Sequence, residues 1–285
     1  MFVVAGVTGH VGSVVAEKLL AAGKPVKVVV RDSAKGAAWA RKGAEVAVGE
    51  LGDTAFLAGA LKGASAFFTL LPPPPFSETD FYGAQKRMVD AIAGAVKASG
   101  VAHVVILSSV GADLSEGNGP IRGLFHLENA LRATGTKLSA IRAGYFQENV
   151  GNSLAPAKHM GIFPNFAASA DYPMPMIATK DIGALAAESL LSPPAKNENV
   201  DLHGPAYSIR QIAEKLGAAL GKTLQVVDIP QAGWVDAMMQ GGLPKHVAEV
   251  FADMYAGFGT GKIGPKGDRM VQGKTEIDEV IKGLV

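Results

Sequence analysis

The sequence predicts an α/β fold, a doubly wound parallel sheet covered by helices on both faces. Two observations lead there. Short apolar runs alternate with helical patterns through the first half of the chain. The runs are apolar at nearly every position rather than at every second one, as strands buried on both faces must be. Crossovers between such parallel strands lay helices on each side of the sheet.

The elements follow in order. "FVVA" (2–5) reads as a buried strand, and 11–22 as a helix with Val11, Val14, Val15 and Leu19 on one face. "VKVVV" (26–30) is the second strand, "AKGAAWARKG" a short helix and "AEVAVG" (44–49) the third strand. "TAFLAGALKG" is helical, with Thr54 the expected N-cap. "SAFFTLL" is the fourth strand, 81–98 a long helix, "HVVILSS" (103–109) the fifth strand, and a helix over 121–133 precedes the strand "KLSAIRA" (137–143). The second half is less regular. Residues 151–176 read as loops and short elements, 179–192 as a helix, and Ser208 with Gln211 as a capping box opening a helix to about 220. "TLQVVDIP" is a strand, two or three helices follow, and 257–269 reads as a mobile surface loop. A dinucleotide-binding domain over 1–150 and a smaller substrate-side domain over 151–285 are expected, with 179–192 packing back onto the first.

The loop after the first strand carries the first chemical signal. Gly6, Gly9 and Gly12 are spaced three apart between a strand and a helix. Gly6 permits the tight turn, Gly9 lets backbone approach a pyrophosphate, and Gly12 lets the helix pack close to the strand. The phosphates would then meet unpaired N–H groups at the helix N-terminus. This marks the sheet as Rossmann-type. The spacing is GxxGxxG, a variant of the commoner GxGxxG. At the end of the second strand an acidic residue would favour NAD and an arginine NADP. Arg31 ends the apolar run and Lys35 lies one turn on, which favours NADPH; Asp32, directly after Arg31, keeps NAD possible.

Composition excludes several alternatives. Net charge is +1, so nothing draws nucleic acid or an anionic membrane directly. Cysteine is absent, which removes disulfides and thiolate chemistry, and the six histidines show no ligand spacing, so no metal is expected. Without a basic leader or a membrane-length apolar run, a cytoplasmic location is expected.

With these residues in place the sequence resembles the NmrA-like group of atypical short-chain dehydrogenases, including its bacterial quinone oxidoreductases. "GVTGHVG" is similar to that family's opening, "VVVRDSAK" to its second strand and basic tail, and "VGELGD" with "LAGALKGASA" to its third strand and the helix after it. "AVKASGVAHVVILSSVGA" resembles its fourth helix and fifth strand. "ENALRATGTKLSAIRAGYFQENV" resembles the segment ending in its RPG-F-x-EN signature, with alanine where proline is usual. "ATKDIGALAA" and "GPAYSIRQIAEKLGAALGKTLQVVDIP" are similar to its later helix and C-terminal unit. The resemblance implies that Gly6, Thr8, Gly9, His10, Val11 and Gly12 hold the pyrophosphate, and Arg31 and Lys35 the 2′-phosphate. It puts Glu50 and Leu51 near the adenine, and Leu70, Leu71 and Pro72 along the cofactor. It puts Gly144, Tyr145, Phe146 and Asn149 beside the nicotinamide.

Carbonyl-reducing short-chain dehydrogenases use a Tyr-x-x-x-Lys pair on the helix after the fifth strand, where tyrosine protonates the nascent alkoxide. "GPIRGLFHLENALRATG" contains neither residue type. Tyr82 and Lys86 have the spacing but open the preceding helix, so the match reads as coincidence. His126 and Tyr145 remain as catalytic candidates. Hydride addition to a quinone makes a delocalised phenolate that needs less help than an alkoxide. The expectation is therefore an NADPH-dependent reductase passing hydride directly to a quinone or similar planar apolar acceptor. Aromatic residues among 76–82, 125, 145–146 and 163–166, with Met174 and Met176, would line its pocket. The other reading is a non-catalytic NAD(P)-binding redox sensor acting through a regulatory protein partner. A homodimer is compatible with either.

Overall fold

The computed structural model describes residues 1–285. Eight strands form one wholly parallel sheet: β1 (Phe2–Ala5), β2 (Val26–Val30), β3 (Glu45–Val48), β4 (Ala66–Leu70), β5 (His103–Ser109), β6 (Lys137–Ala143), and, from the second half, β10 (Glu198–His203) and β13 (Arg269–Gln272). Their spatial order is β13-β10-β6-β5-β4-β1-β2-β3. The order reverses between β1 and β4, the crevice where doubly wound sheets bind ligands. Within each strand the side chains alternate between two cores. Val4, Phe68 and Val105 face one, whereas Val3, Phe67 and Val104 face the other.

The first core is covered by α1 (His10–Ala21), α2 (Ser33–Arg41) and α7 (Thr179–Leu191). A Cβ on Gly183 would lie 2.6 Å from Val14 Cβ, so the small-residue face of α7 lets it close on α1. The second core is covered by α3 (Thr54–Leu61), α4 (Phe81–Ser99) and α5 (Arg122–Arg132). Three of these helices start on an aspartate whose carboxylate accepts a backbone N–H: Asp32 from Ala34 (2.8 Å), Asp53 from Phe56 (3.0 Å) and Asp80 from Gly83 (2.9 Å). The α3 cap is thus Asp53, one residue before the expected Thr54.

Between β6 and β10 the chain makes β7 (Tyr145–Phe146), α6 (Leu154–Met160), β8 (Ile162–Asn165) and β9 (Met174–Ile177). After β10 come β11 (Ala206–Tyr207), α8 (Ile209–Leu220), β12 (Gln225–Asp228), α9 (Trp234–Gln240) and α10 (Lys245–Gly259), and α11 (Ile277–Leu284) follows β13. The Ser208–Gln211 capping box is present. Short sheets, β11-β9-β7 and β12-β8, join these pieces around a third core of Phe163, Met176, Ile212, Leu216 and Ile277. The stretch expected to be a mobile loop is tied down at several points. Ile263 is buried against Gly111, Lys266 pairs with Asp113 at 2.9 Å, and the Gly267 N–H donates to Asp201 at 2.5 Å. No helix is long and apolar enough to cross a membrane.

Candidate active site

The loops at the C-terminal ends of β1, β2, β4 and β6 converge on one edge of the sheet. At the first, Gly6 has φ +71°, and Leu70 Cδ2 at the end of β4 stands 2.6 Å from where its Cβ would be. A Cβ on Gly12 would collide with the Gly6 carbonyl, so α1 presses directly on the turn. The Gly9 N–H returns to the Gly6 carbonyl at 3.0 Å, which closes the loop and exposes Thr8, Gly9 and His10. No side chain caps α1 and no acidic residue stands in its first turn, so its N–H groups and positive dipole end face outward. Val11 is buried beneath them. The residue types and spacing match what a diphosphate requires.

At the end of β2, Arg31 and Lys35 are both exposed, and neither enters an ion pair, whereas nearby Lys42 is paired with Glu17 at 2.5 Å. The Asp32 carboxylate is occupied as the α2 cap. Arg31 and Lys35 are thus the two cations beside this strand end that carry no ion pair. Glu50 is exposed and Leu51 partly buried just beyond β3. Leu71 and Pro72 leave β4 half-buried, and Leu71 stands against Gly123 on α5.

The fourth loop is the most firmly built. A Cβ on Gly144 would lie 3.3 Å from His203 Nδ1, and the Gly144 N–H donates to Leu202 O at 2.9 Å. Gln147 is fully buried and donates to Thr275 O at 2.8 Å. Glu148 accepts from both the N–H (2.9 Å) and hydroxyl (2.5 Å) of Thr179, fastening the loop to the start of α7. The Tyr145 phenol is held well above its usual pKa, first by burial and then by its contact with Tyr255 on α10, with Asn149 opposing. Tyr255 stacks on Phe166 with centroids 5.5 Å apart and meets Trp234 edge-on at 5.9 Å.

The other candidates separate. His126 is exposed, with its ring edge-on to Phe125. Glu128 on the same helix is buried, accepting from Ser108 (2.7 Å) and from Arg142 through two bonds (3.0 and 2.7 Å). Lys86 pairs with Asp90 at 2.6 Å, while Tyr82 stacks under the Arg122 guanidinium at 4.8 Å, so the two do not act together. Phe76 is exposed, and Phe163 and Met176 belong to the third core. Two residues of α10 that meet these loops, Tyr255 beside Tyr145 and Asp253 at Gly119, carry no sequence signal. Asp253 accepts the Gly119 N–H at 3.0 Å, anchoring α10 over the loop after β5. Nothing in "DMYAGFG" except an aromatic on a helix marks them.

Residues 1–282 match the family model of the NmrA-like family. The chain belongs to that family. It is 28% identical over 257 residues to the NAD(P)H azoreductase of Xenophilus azovorans, covering 90% of this chain and 86% of the relative. It is also 28% identical over 264 residues to quinone oxidoreductase 2 of Escherichia coli, covering 92% and 89%. A crystal structure of the NADPH-dependent quinone oxidoreductase from Escherichia coli, complexed with NADPH, superposes with a TM-score of 0.82 at 25% identity, covering 100% of this chain and 99% of that one. The triphenylmethane reductase of Citrobacter sp., complexed with NADP(H), shares the fold with a TM-score of 0.83 at 19% identity, covering 100% of both chains.

Proposed function

We propose that this protein is an NADPH-dependent oxidoreductase that passes hydride directly to a quinone or similar conjugated planar acceptor. The observation that carries the reading is the pairing of an uncapped α1 N-terminus with two unpaired cations, Arg31 and Lys35, one strand away. The relatives named above, an azoreductase and a quinone oxidoreductase, support the same class.

The residues divide the work by position. Gly6, Thr8, Gly9, His10, Val11 and Gly12 hold the diphosphate on backbone N–H groups. Arg31 and Lys35 take the 2′-phosphate through charge-assisted hydrogen bonds. Glu50 and Leu51 border the adenine, and Leu70, Leu71 and Pro72 form the wall along the cofactor. Gly144, Tyr145, Phe146 and Asn149 bound the nicotinamide end and hold the acceptor against it. Bound NADPH supplies the hydride. With no tyrosine–lysine pair on α5, the site relies on positioning and on an acceptor whose reduced oxygen is weakly basic.

A test is the isotope effect of NADPH deuterated at one C4 face, measured with flavin-free protein and a naphthoquinone. A primary effect from one face only supports direct transfer. No isotope effect from either face in single-turnover measurements, or activity that depends on added flavin, overturns it.

A further inference from the structure

The surface where α4, α5 and α10 meet holds a cation without a counter-charge. Arg132 and Arg142, the other arginines withdrawn from solvent, share Glu128 at 2.9 and 2.7 Å. The exposed Arg87, Arg210 and Arg269 are each paired with a carboxylate as well. Arg122 is half-buried, yet it meets no carboxylate and its guanidinium donates to no acceptor in the chain. It stands in the first turn of α5, where a positive charge opposes the helix dipole, and no acidic residue shares that turn. Its desolvation is offset only in part by the Tyr82 ring, over which the guanidinium lies at 4.8 Å.

The position of Arg122 is fixed. Gln85 of α4 donates from Nε2 to Pro120 O at 2.9 Å, and a Cβ on Gly123 would lie 2.6 Å from Gln85 Cδ, so the turn into α5 is clamped on α4. Asp253 of α10 accepts the Gly119 N–H at 3.0 Å and makes no ion pair with Arg122. Two contacts tie the cation to the proposed acceptor side. The same Cβ on Gly123, the next residue, would lie 2.6 Å from Leu71 Cδ2, so Arg122 borders the segment that leaves β4 along the cofactor. Tyr82 meets Phe81 edge-on with centroids 5.7 Å apart, and Phe81 packs on Val247 and Val250 of α10 with Phe251 only partly buried beside them. One positive charge at the border of a half-exposed aromatic surface suits a planar apolar molecule that carries one anionic group.

We propose that Arg122 is a specificity-determining residue that selects acceptors with an anionic substituent, a carboxylate or sulfonate, on the conjugated ring. The inference rests on the reductase reading above and deepens it by naming the substrate class. The guanidinium offers parallel N–H groups to two oxygens of such a substituent. The acceptor ring packs on the apolar surface beside Tyr82, which acts as the positioning residue for the guanidinium. Arg122 takes no part in hydride transfer; it sets which acceptor lies against the nicotinamide.

The test compares a naphthoquinone with its ring-sulfonated form, each assayed with NADPH in the wild type, Arg122→Met and Arg122→Lys. NADPH affinity is titrated separately by cofactor fluorescence. The ratio of kcat/KM, sulfonate over parent, is compared between proteins, which cancels the intrinsic reactivity of the two quinones. Arg122→Met is expected to lower that ratio about tenfold to hundredfold, equivalent to one or two charge-assisted bonds and expressed mainly in KM. Arg122→Lys keeps the charge without the fork and should recover part of the loss. In the wild type the ratio should also fall as ionic strength rises, a measurement that needs no variant. A ratio that Arg122→Met leaves unchanged, or that is flat with salt, overturns the inference and leaves the reductase reading intact. A loss shared equally by both quinones, or matched by weaker NADPH binding, does the same. A wild-type protein that binds NADPH but reduces no acceptor overturns both.

Discussion

At the end of β2 the proposed phosphate site rests on Arg31 and Lys35, with the neighbouring Asp32 serving as the α2 cap. With the Asp32 carboxylate capping α2, Arg31 and Lys35 are the charges left to meet a 2′-phosphate. Arg31→Ala is expected to weaken NADPH by roughly tenfold to a hundredfold, the worth of one or two charge-assisted bonds, and NADH hardly at all. Titration of both cofactors checks this, and equal losses would remove the phosphate assignment. Glu128 illustrates the opposite use of charge. It sits on the helix that carries the tyrosine–lysine pair in other short-chain dehydrogenases, yet it is buried and shared among Ser108, Arg142 and Arg132. Glu128→Gln removes the carboxylate hydrogen-bonded to the buried Arg142 guanidinium and should cost about 3–5 kcal/mol by urea unfolding. A change within a few tenths of a kcal/mol would mean that the network relaxes around a water or another acidic group.

The elements that build the cradle are the most readable part of the chain. Strands buried on both faces leave continuous apolar runs, and the glycine spacing sits at the turn where strand and helix must touch. Gly12→Ala pushes α1 away from the Gly6 carbonyl and is expected to cost about 1–3 kcal/mol and to weaken NADPH, measured by thermal unfolding with and without cofactor. An unchanged midpoint and affinity would show that the turn has slack. The short elements are less readable. β10 and β13 escape a reading by pattern because "ENVDLH" and "RMVQ" mix charge into the strand: β13 lies at the sheet edge, and in β10 the buried Asp201 is accommodated by the Gly267 N–H that donates to it. The stretch 257–269 looks free in sequence because glycine, lysine and proline dominate it. Its anchors, Ile263 and Lys266, are single residues whose partners lie far away along the chain. Tyr255 is silent in the sequence for the same reason: Phe166, on which it stacks, and Trp234 are brought to it only by the tertiary fold.

Across the whole molecule, the sheet sets both the site and the response to acid. His103, at the start of β5, is 1% exposed and contacts Ser139 at 3.1 Å. Burial lowers its pKa to about 4, against a partial offset from Glu198. Because the folded pKa lies below the unfolded one, the unfolded chain binds the extra proton first. Stability is therefore full above pH about 6.5 and falls toward pH about 4, by up to about 3 kcal/mol from this residue. Urea midpoints across that range should show the decline, and His103→Gln should flatten it. A decline unchanged in that variant would assign the acid sensitivity to other groups, of which His203, its pKa also lowered by burial, comes next.

The reductase assignment itself is tested most directly by mixing purified protein with NADPH and following cofactor absorbance as quinones and azo or triphenylmethane dyes are added. Oxidation that requires both protein and acceptor, and that is fast with at least one planar quinone, is the expected result. A tightly bound NADPH that no acceptor oxidises would contradict it, and the same glycine cradle would then serve a redox sensor that signals to a protein partner.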